Sequence, residues 1–364
     1  MRKLNKKITA LAAALLLTFG ASAQQSESEL PDGFFTPKVY GTVMTTFNTS
    51  TYNGYTRFNV RNSRFGVKGN ASHDLSYLVQ VDFSNQGSVS VLDSYIQYNK
   101  SDLVVMVGQQ RINLSEDMMR GPSSCLFSSR SYAAVSSMSY LVGDGSDFSI
   151  SNMGSRDIGI YARYKLLKDN VVPITLGVGL FNGNGANNPD WDSTLNFSAR
   201  VVLGDVKDGF SAGASLYTGK NLVSEDINVW TGEARYVTKS MMIESTYQQR
   251  RVMGTSLDIL QVANIQGYYK FFTPQSKTFD YLSPLVRWDI GDNVDYLLLE
   301  TTELQRKLDS QRLTFAFNIH FKGEKLRSRM SVGYEKFFMQ NPPADMDYNT
   351  LMHDKFTMAF VASF

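Results

Sequence analysis

Four basic residues, Arg57, Arg61, Arg64 and Lys68, recur along one short stretch of the chain. In an extended strand Arg57, Asn59 and Arg61 share a face, with Phe58 and Val60 opposite. Arg64, Gly66 and Lys68 then oppose Phe65 and Val67, so the parity slips once between Arg61 and Arg64. A β-bulge near Asn62 absorbs that slip and keeps all four cations on one side. A row of guanidinium and ammonium groups backed by an apolar face attracts anions, and hydroxyls with Arg are good ligands for phosphate or carboxylate.

The same construction returns along the chain. Opposite the apolar faces fall Arg163, Lys165, Arg200, Arg235, Arg250, Arg287, Arg312, Lys322, Arg327 and Arg329, together with the acids Asp82, Asp93, Asp157, Glu233, Glu244, Asp289 and Glu335. The bias is basic, and the expected chemistry is a mild anion preference along an enclosed polar surface. Facing rows of Arg and carboxylate also pair across strands and stiffen a wall, and at least half of these residues are expected to do so.

The elements that must carry these side chains are strands. Leu313, Phe315, Phe317, Ile319 and Phe321 alternate with Arg312, Thr314, Asn318, His320 and Lys322, and similar alternation runs through Leu75–Phe83, Ile158–Leu166 and Leu195–Leu203. Sixteen strands are expected, near 38–48, 55–69, 72–84, 89–99, 103–112, 156–166, 171–182, 193–204, 210–219, 226–238, 240–250, 259–271, 282–291, 311–322, 326–338 and 354–364. Most are longer than the five or six residues or so usual in soluble sheets, and long enough to cross a bilayer at a tilt. Tight connections such as Asn70-Ala71, Lys100–Asp102, Asp205–Gly209 and Lys239 alternate with longer ones: Asn113–Ser155, Asn182–Asp192, Gly291–Ser310 and Met339–His353. Short turns on one rim and longer loops on the other are the asymmetry of an all-β transmembrane antiparallel barrel, expected over 38–364.

Both ends of the sequence agree with export to an outer membrane. Residues 1–23 have a signal peptide's layout: Arg2, Lys3, Lys6 and Lys7, an apolar run from Ile8 to Phe19, and Ala21-Ser22-Ala23 for cleavage. Residues 24–37 are expected to form a short periplasmic leader. At the other end Phe356, Phe360 and Phe364 stand at alternate-face positions with Met358 and Ala362 between them, resembling the signal that barrel-assembly machinery reads. An even strand count returns the chain to the periplasmic side.

Composition sets further limits. The chain of 364 residues has 36 basic and 34 acidic side chains, and without the four basic residues of the signal the balance turns slightly acidic, which gives nucleic-acid binding no support. Hydrophobic content is an ordinary 43%, while 19 Tyr and 23 Phe suit aromatic girdles facing outer-membrane lipid. Cys125 is the single cysteine, so no intrachain disulfide forms. His73, His320 and His353 lie in no recognisable catalytic motif, and no phosphate loop, metal-ligand cluster or dinucleotide fingerprint occurs, so neither an enzyme nor a cofactor is expected.

The segment 113–155 is the candidate constriction. It carries Ser115, Glu116, Arg120, Ser123, Ser124, Ser128, Ser129, Arg130, Ser131 and Ser136, with Met118, Met119 and Phe127 to anchor it. Loops of this length in compact proteins are usually functional or disordered.

Several motifs carry a family resemblance. Ser63-Arg64-Phe65-Gly66-Val67-Lys68-Gly69, Leu75-Ser76-Tyr77, Val79-Gln80-Val81-Asp82-Phe83, Leu92-Asp93-Ser94-Tyr95-Ile96-Gln97-Tyr98 and Val107-Gly108-Gln109-Gln110 together resemble the amino-terminal half of the phosphate-selective porin O/P family. Gly179–Gly183 and Leu285–Asp289 fit less tightly, and the whole is similar to Bacteroidetes-type members. The resemblance implies a sixteen-stranded homotrimeric porin, and the segment 113–155 follows the fifth strand, as the pore-constricting third extracellular loop does in general porins. The sequence departs from the family where a Pro is missing after Arg111, and where its expected inner faces are rich in arginine rather than lysine, so phosphate selectivity does not carry over. Passive diffusion of small polar or anionic solutes is the expected function. The competing class is a receptor or adhesin barrel that binds a nutrient or surface ligand.

Overall fold

The computed structural model describes residues 34–51, 54–85, 88–135, 141–142, 156–167, 172–189, 194–220, 226–253, 259–297, 304–323, 327–340 and 354–364. The expected signal peptide, leader residues 24–33, His353, Ser136 and most of 136–155 lie outside the described residues.

Sixteen strands form a closed antiparallel barrel. They are β1 (Lys38–Ser50), β2 (Thr56–Asn70), β3 (Leu75–Asn85), β4 (Ser88–Lys100), β5 (Leu103–Arg111), β6 (Arg156–Leu166), β7 (Ile174–Phe181) and β8 (Asn196–Gly204). The second half comprises β9 (Gly209–Lys220), β10 (Asp226–Val237), β11 (Met241–Val252), β12 (Ile259–Tyr269), β13 (Phe279–Leu297), β14 (Leu304–Phe321), β15 (Arg327–Gln340) and β16 (Lys355–Ser363). Each pairs with its neighbour in sequence, and β16 closes on β1, with Val361 opposite Met44 and Phe360 opposite Thr45. A two-residue strand, Phe271-Phe272, continues the β12 edge, and another, Leu141-Val142, pairs in parallel with β13.

Alternation assigns the two surfaces. Phe58, Phe65, Ile96, Val178, Trp230, Ile265, Trp288, Phe315 and Phe360 are exposed on the outside, although each belongs to a strand whose other face is largely buried. Water would not tolerate so continuous an apolar belt, but lipid requires it. Tyr164, Phe210, Tyr236, Tyr269, Phe271, Phe279 and Phe364 extend that belt at the rim with the short turns, as an interfacial aromatic girdle. No described helix is long and apolar enough to cross a membrane, and the crossing is made by strands.

The bulge expected near Asn62 is present: Met44 faces Asn62 and Thr45 faces Val60, leaving Arg61 as the extra residue. The connection expected over Gly291–Ser310 is instead largely strand, and β14, expected from 311, begins at Leu304. The strand expected over 282–291 continues to Leu297, beyond the run where alternation holds. Its pairing with β14 shifts after Gly291, where Asn293 takes a left-handed φ of 53°. That irregular step hides the continuation from any period-two pattern.

Candidate functional site

The inner face of the barrel is the site, and the segment after β5 occupies part of it. Residues 112–135 leave the end of β5 and form two short helices, α1 (Glu116–Met119) and α2 (Tyr132–Val135). Ser115 caps α1 by accepting the N–H of Met118 at 3.1 Å. Ile112, Leu114 and Met118 pack with Tyr161, Phe181, Tyr217, Ile227, Val229 and Val252, a core built on the inner faces of β6, β7, β9, β10 and β11.

Polar contacts hold the rest against the opposite wall. Arg120 makes a two-pronged contact with Glu244 of β11 and pairs with Asp117 at 2.8 Å. Glu116 donates its backbone N–H to Glu233 of β10 at 2.8 Å and offers its carboxylate to Arg200 of β8 at 3.1 Å. Arg200 also pairs with Glu233, and Arg235 stands 3.7 Å from Glu116 and 3.5 Å from Glu244. Ser129 donates to Glu335, while Arg287 donates to the Ser129 carbonyl at 3.0 Å and lies 4.5 Å from the centre of the Phe127 ring. Arg312 holds Asp289, and Arg329 donates to the Cys125 carbonyl at 2.6 Å. Because these partners come from β8, β10, β11, β13, β14 and β15, the segment lies inside the barrel and not over its rim.

Buried charges must be paired or hydrogen-bonded. Burial alone would raise the Asp117 carboxyl, but Arg120, the donated Ser131 hydroxyl and Arg130 hold it below the usual carboxylate range. Burial works against the Arg120 guanidinium too, yet Glu244 and Asp117 hold its affinity for the proton above normal. Arg111 and Arg130 cover the carbonyls at the end of α1: Arg111 donates to those of Met118 and Arg120, and Arg130 to those of Asp117, Met118 and Arg120. Cations at a helix C-terminus are favourably placed.

The remaining residues singled out by sequence fall as follows. Arg64 pairs with Asp82 at 2.8 Å, both buried. Asp93 pairs with Arg156 at 2.9 Å. Arg57 lies opposite Asn48, Arg64 opposite Thr42 and Lys68 opposite Lys38 on β1, and Arg61 donates to the Met44 sulfur at 3.8 Å, so the four cations share the inner side. Lys68 is exposed, its ammonium 5.5 Å from the centre of the Tyr40 ring. Arg163, Lys165 and Arg327 are exposed and form no ion pair among the described residues. Asp157 accepts the backbone N–H groups of Ile158 and Gly183. The structure thus brings Glu116, Arg120, Arg200, Arg235, Glu233 and Glu244 together on one side, with Arg163 lining the same cavity as Glu116 and Arg200, and leaves Arg57, Lys68 and Arg327 apart from that group. Phe356 and Phe360 lie on β16, and Phe364 follows its end, the ring covering Gly41.

Reading by strand face passes over Arg111, Arg156 and Tyr132. Arg111 and Arg156 are directly opposed at the ends of β5 and β6, where strand parity gives way to the turn inward. Tyr132 is fully buried, donating its backbone N–H to Asp289 and sharing a hydrogen bond with Ser310. The only signal for it was an aromatic residue amid a serine-rich run. Among the described residues no group of three or more His, Cys, Asp or Glu side chains is placed to hold a metal. His320 stacks on Tyr281 at 4.0 Å between centroids.

A closed barrel with an apolar outer belt and a charged interior is a bacterial outer-membrane protein. No protein-family model matches the chain, and no curated protein matches its sequence. Among solved structures it is similar to the anion-selective porin from Comamonas acidovorans, at 9% identity and TM-score 0.58, over 90% of this chain and 98% of that one. It is similar to the trimer form of OmpT, an outer membrane protein of Vibrio cholerae, at 13% identity and TM-score 0.52, over 90% and 99%. It is also similar to Salmonella typhi OmpF in complex with daunomycin, at 13% identity and TM-score 0.56, over 92% and 99%. The fold is that of the outer-membrane porins.

Proposed function

We propose that this barrel is a diffusion porin for small polar solutes with a mild preference for anions. One observation carries the reading. The inner-face carboxylates Asp82, Asp93, Glu233, Glu244, Asp289 and Glu335 are each engaged by an arginine or lysine, and Asp157 by backbone N–H groups. The inner-face cations Lys68, Arg163, Lys165 and Arg327, by contrast, are exposed with no carboxylate against them among the described residues. The charge left for a passing solute to meet is therefore positive, and a low-dielectric wall concentrates counter-ions. The motifs from Ser63 to Gln110 support a place in the phosphate-selective porin O/P family, and phosphate-like anions fall within the proposed range of solutes.

Further parts of the reading follow the same logic. The segment 113–155 serves as the constriction, with Ser115, Glu116, Arg120 and Arg130 in the part that leans on the wall. The assembly is a homotrimer, supported by the similarity to a barrel crystallised in a trimer form. Phe356, Phe360 and Phe364 act in recognition by barrel-assembly machinery.

The test is a reversal potential in a salt gradient across a planar bilayer. Mild anion preference is expected, and clear cation preference would sink the reading. Mass measurement of the detergent complex tests the trimer.

A further inference from the structure

A cavity of about 340 Å³ lies at the short-turn rim of the lumen, between β6, β7, β8 and the start of the inner segment. That volume is at the small end of the range for small-molecule sites, roughly 300–1,000 Å³. Arg200 lines it. The side chain is 4% exposed, its Nη2 is held by Glu116 and Glu233, and its Nη1 is buried with no hydrogen-bond partner among the described residues. A buried guanidinium nitrogen left in this state lacks an acceptor, and the cavity is where one fits.

The surroundings say which acceptor. Arg163 and Lys165 line the same cavity from β6, exposed and without ion pairs among the described residues. Of the acids on the lining, Glu116 is paired with Arg200 and Arg235, while the exposed Asp205 accepts only the backbone N–H of Lys207 at 2.8 Å and keeps its charge. Beyond the paired Arg200 and Glu116, the lining sets three cations, Arg163, Lys165 and Lys207, against the one exposed carboxylate of Asp205, a positive balance that favours an oxyanion. The lining also offers an unmet acceptor, since Asn113 Oδ1 is buried without a donor among the described residues while its Nδ2 donates to the Tyr161 hydroxyl at 3.4 Å. That oxygen calls for a hydroxyl on the same ligand.

We propose that this cavity binds a small oxyanion bearing hydroxyl groups, with the anionic end on Arg200, Arg163 and Lys165 and a hydroxyl on Asn113. The site rests on the porin reading only for the route by which the ligand arrives. Sugar phosphates and hydroxy acids share this chemistry.

Calorimetric titration of the detergent-solubilised full chain tests it, with glucose 6-phosphate, gluconate and glucose as probes. At least one of the two oxyanions should bind, the stronger identifying the source, and glucose should bind at least about tenfold more weakly. Arg163→Gln with Lys165→Gln should weaken the oxyanion about tenfold or more, whereas Lys277→Gln, an exposed residue in the turn before β13, should leave it unchanged. Should the double variant fail to fold, Lys165→Gln alone should still weaken binding about threefold. No heat from either oxyanion, or equal affinity in the Lys165 and Lys277 variants, overturns the site. Because the titration needs no current, a barrel that binds neither probe yet conducts anions refutes the site alone. A barrel that binds but prefers cations refutes the porin reading alone.

Discussion

Asp289 of β13 accepts both Nε and Nη2 of Arg312 from β14, at 3.0 and 2.8 Å, on one carboxylate oxygen. Its other oxygen accepts the backbone N–H of Tyr132 from the inner segment at 3.0 Å. A single carboxylate therefore joins two neighbouring strands to the chain that crosses the lumen. Both side chains are fully buried, with Arg287 a further 2.8 Å from the same carboxylate.

Removing that carboxylate should be costly. Asp289→Ala leaves two buried guanidiniums without their anion, a change worth about 3–5 kcal/mol. The urea midpoint for loss of the folded electrophoretic form should fall accordingly. An unchanged midpoint would mean that Arg312 and Arg287 find other partners.

Arg120 should decide whether the inner segment stays docked. Arg120→Ala leaves Glu244 without its two-pronged partner. Single-channel conductance should rise, and Cys125, buried in the same segment, should react with a bulky maleimide at least about tenfold faster than in the unaltered protein. Equal labelling rates would place the hold elsewhere, for example on Arg329, which donates to the Cys125 carbonyl.

Acid should release the segment only late. The Asp117 carboxyl is held below its usual range when docked, so its stabilisation is complete above the undocked pKa, about 3.9, and is lost as pH falls through the lower docked value. Conductance should be flat from pH 7 to about 5 and change only below about 4. A rise already between pH 7 and 5 would point to a different titrating group.

Two glycines make a paired test of the wall. Gly108 has φ of 130°, and a Cβ there would meet the Ser94 carbonyl oxygen at 2.3 Å and the Tyr95 Cα at 2.8 Å, neither of which can swing away. Gly108→Ala should cost about 2 kcal/mol or more and reduce the yield of folded barrel. Gly232, with nothing within 4 Å of an added Cβ, should accept alanine within about 0.5 kcal/mol. Heat-modifiable mobility of both variants reads the difference, and equal yields would contradict the geometry.

The barrel itself was legible because its signals are local. Alternation in Leu313–Phe321 needs only the two-residue repeat of a strand, and the slip after Arg61 needs only a count of parity. The tail of β13 was not legible, since Asn293 and the shifted pairing beyond Gly291 break the repeat. Tyr132 and Arg156 escaped for another reason. Their roles are set by partners far away in sequence, Asp289 for the one and Asp93 for the other.

The sequence by itself determined the strand number, the lipid-facing side and the basic bias of the opposite side. Each is written in the spacing of side chains along one strand, which backbone geometry alone converts into a face. Only the tertiary structure decided which of the inner charges are spent on holding the crossing segment and which stay open to solute. Arg200, Arg287 and Arg312 read like Arg163 and Arg327 along their strands, but barrel closure sets the first three against Glu233, Asp289, Ser129 and one another, while the last two are left exposed. That sorting depends on contacts between residues as distant as Ser129 and Glu335, which no local pattern encodes.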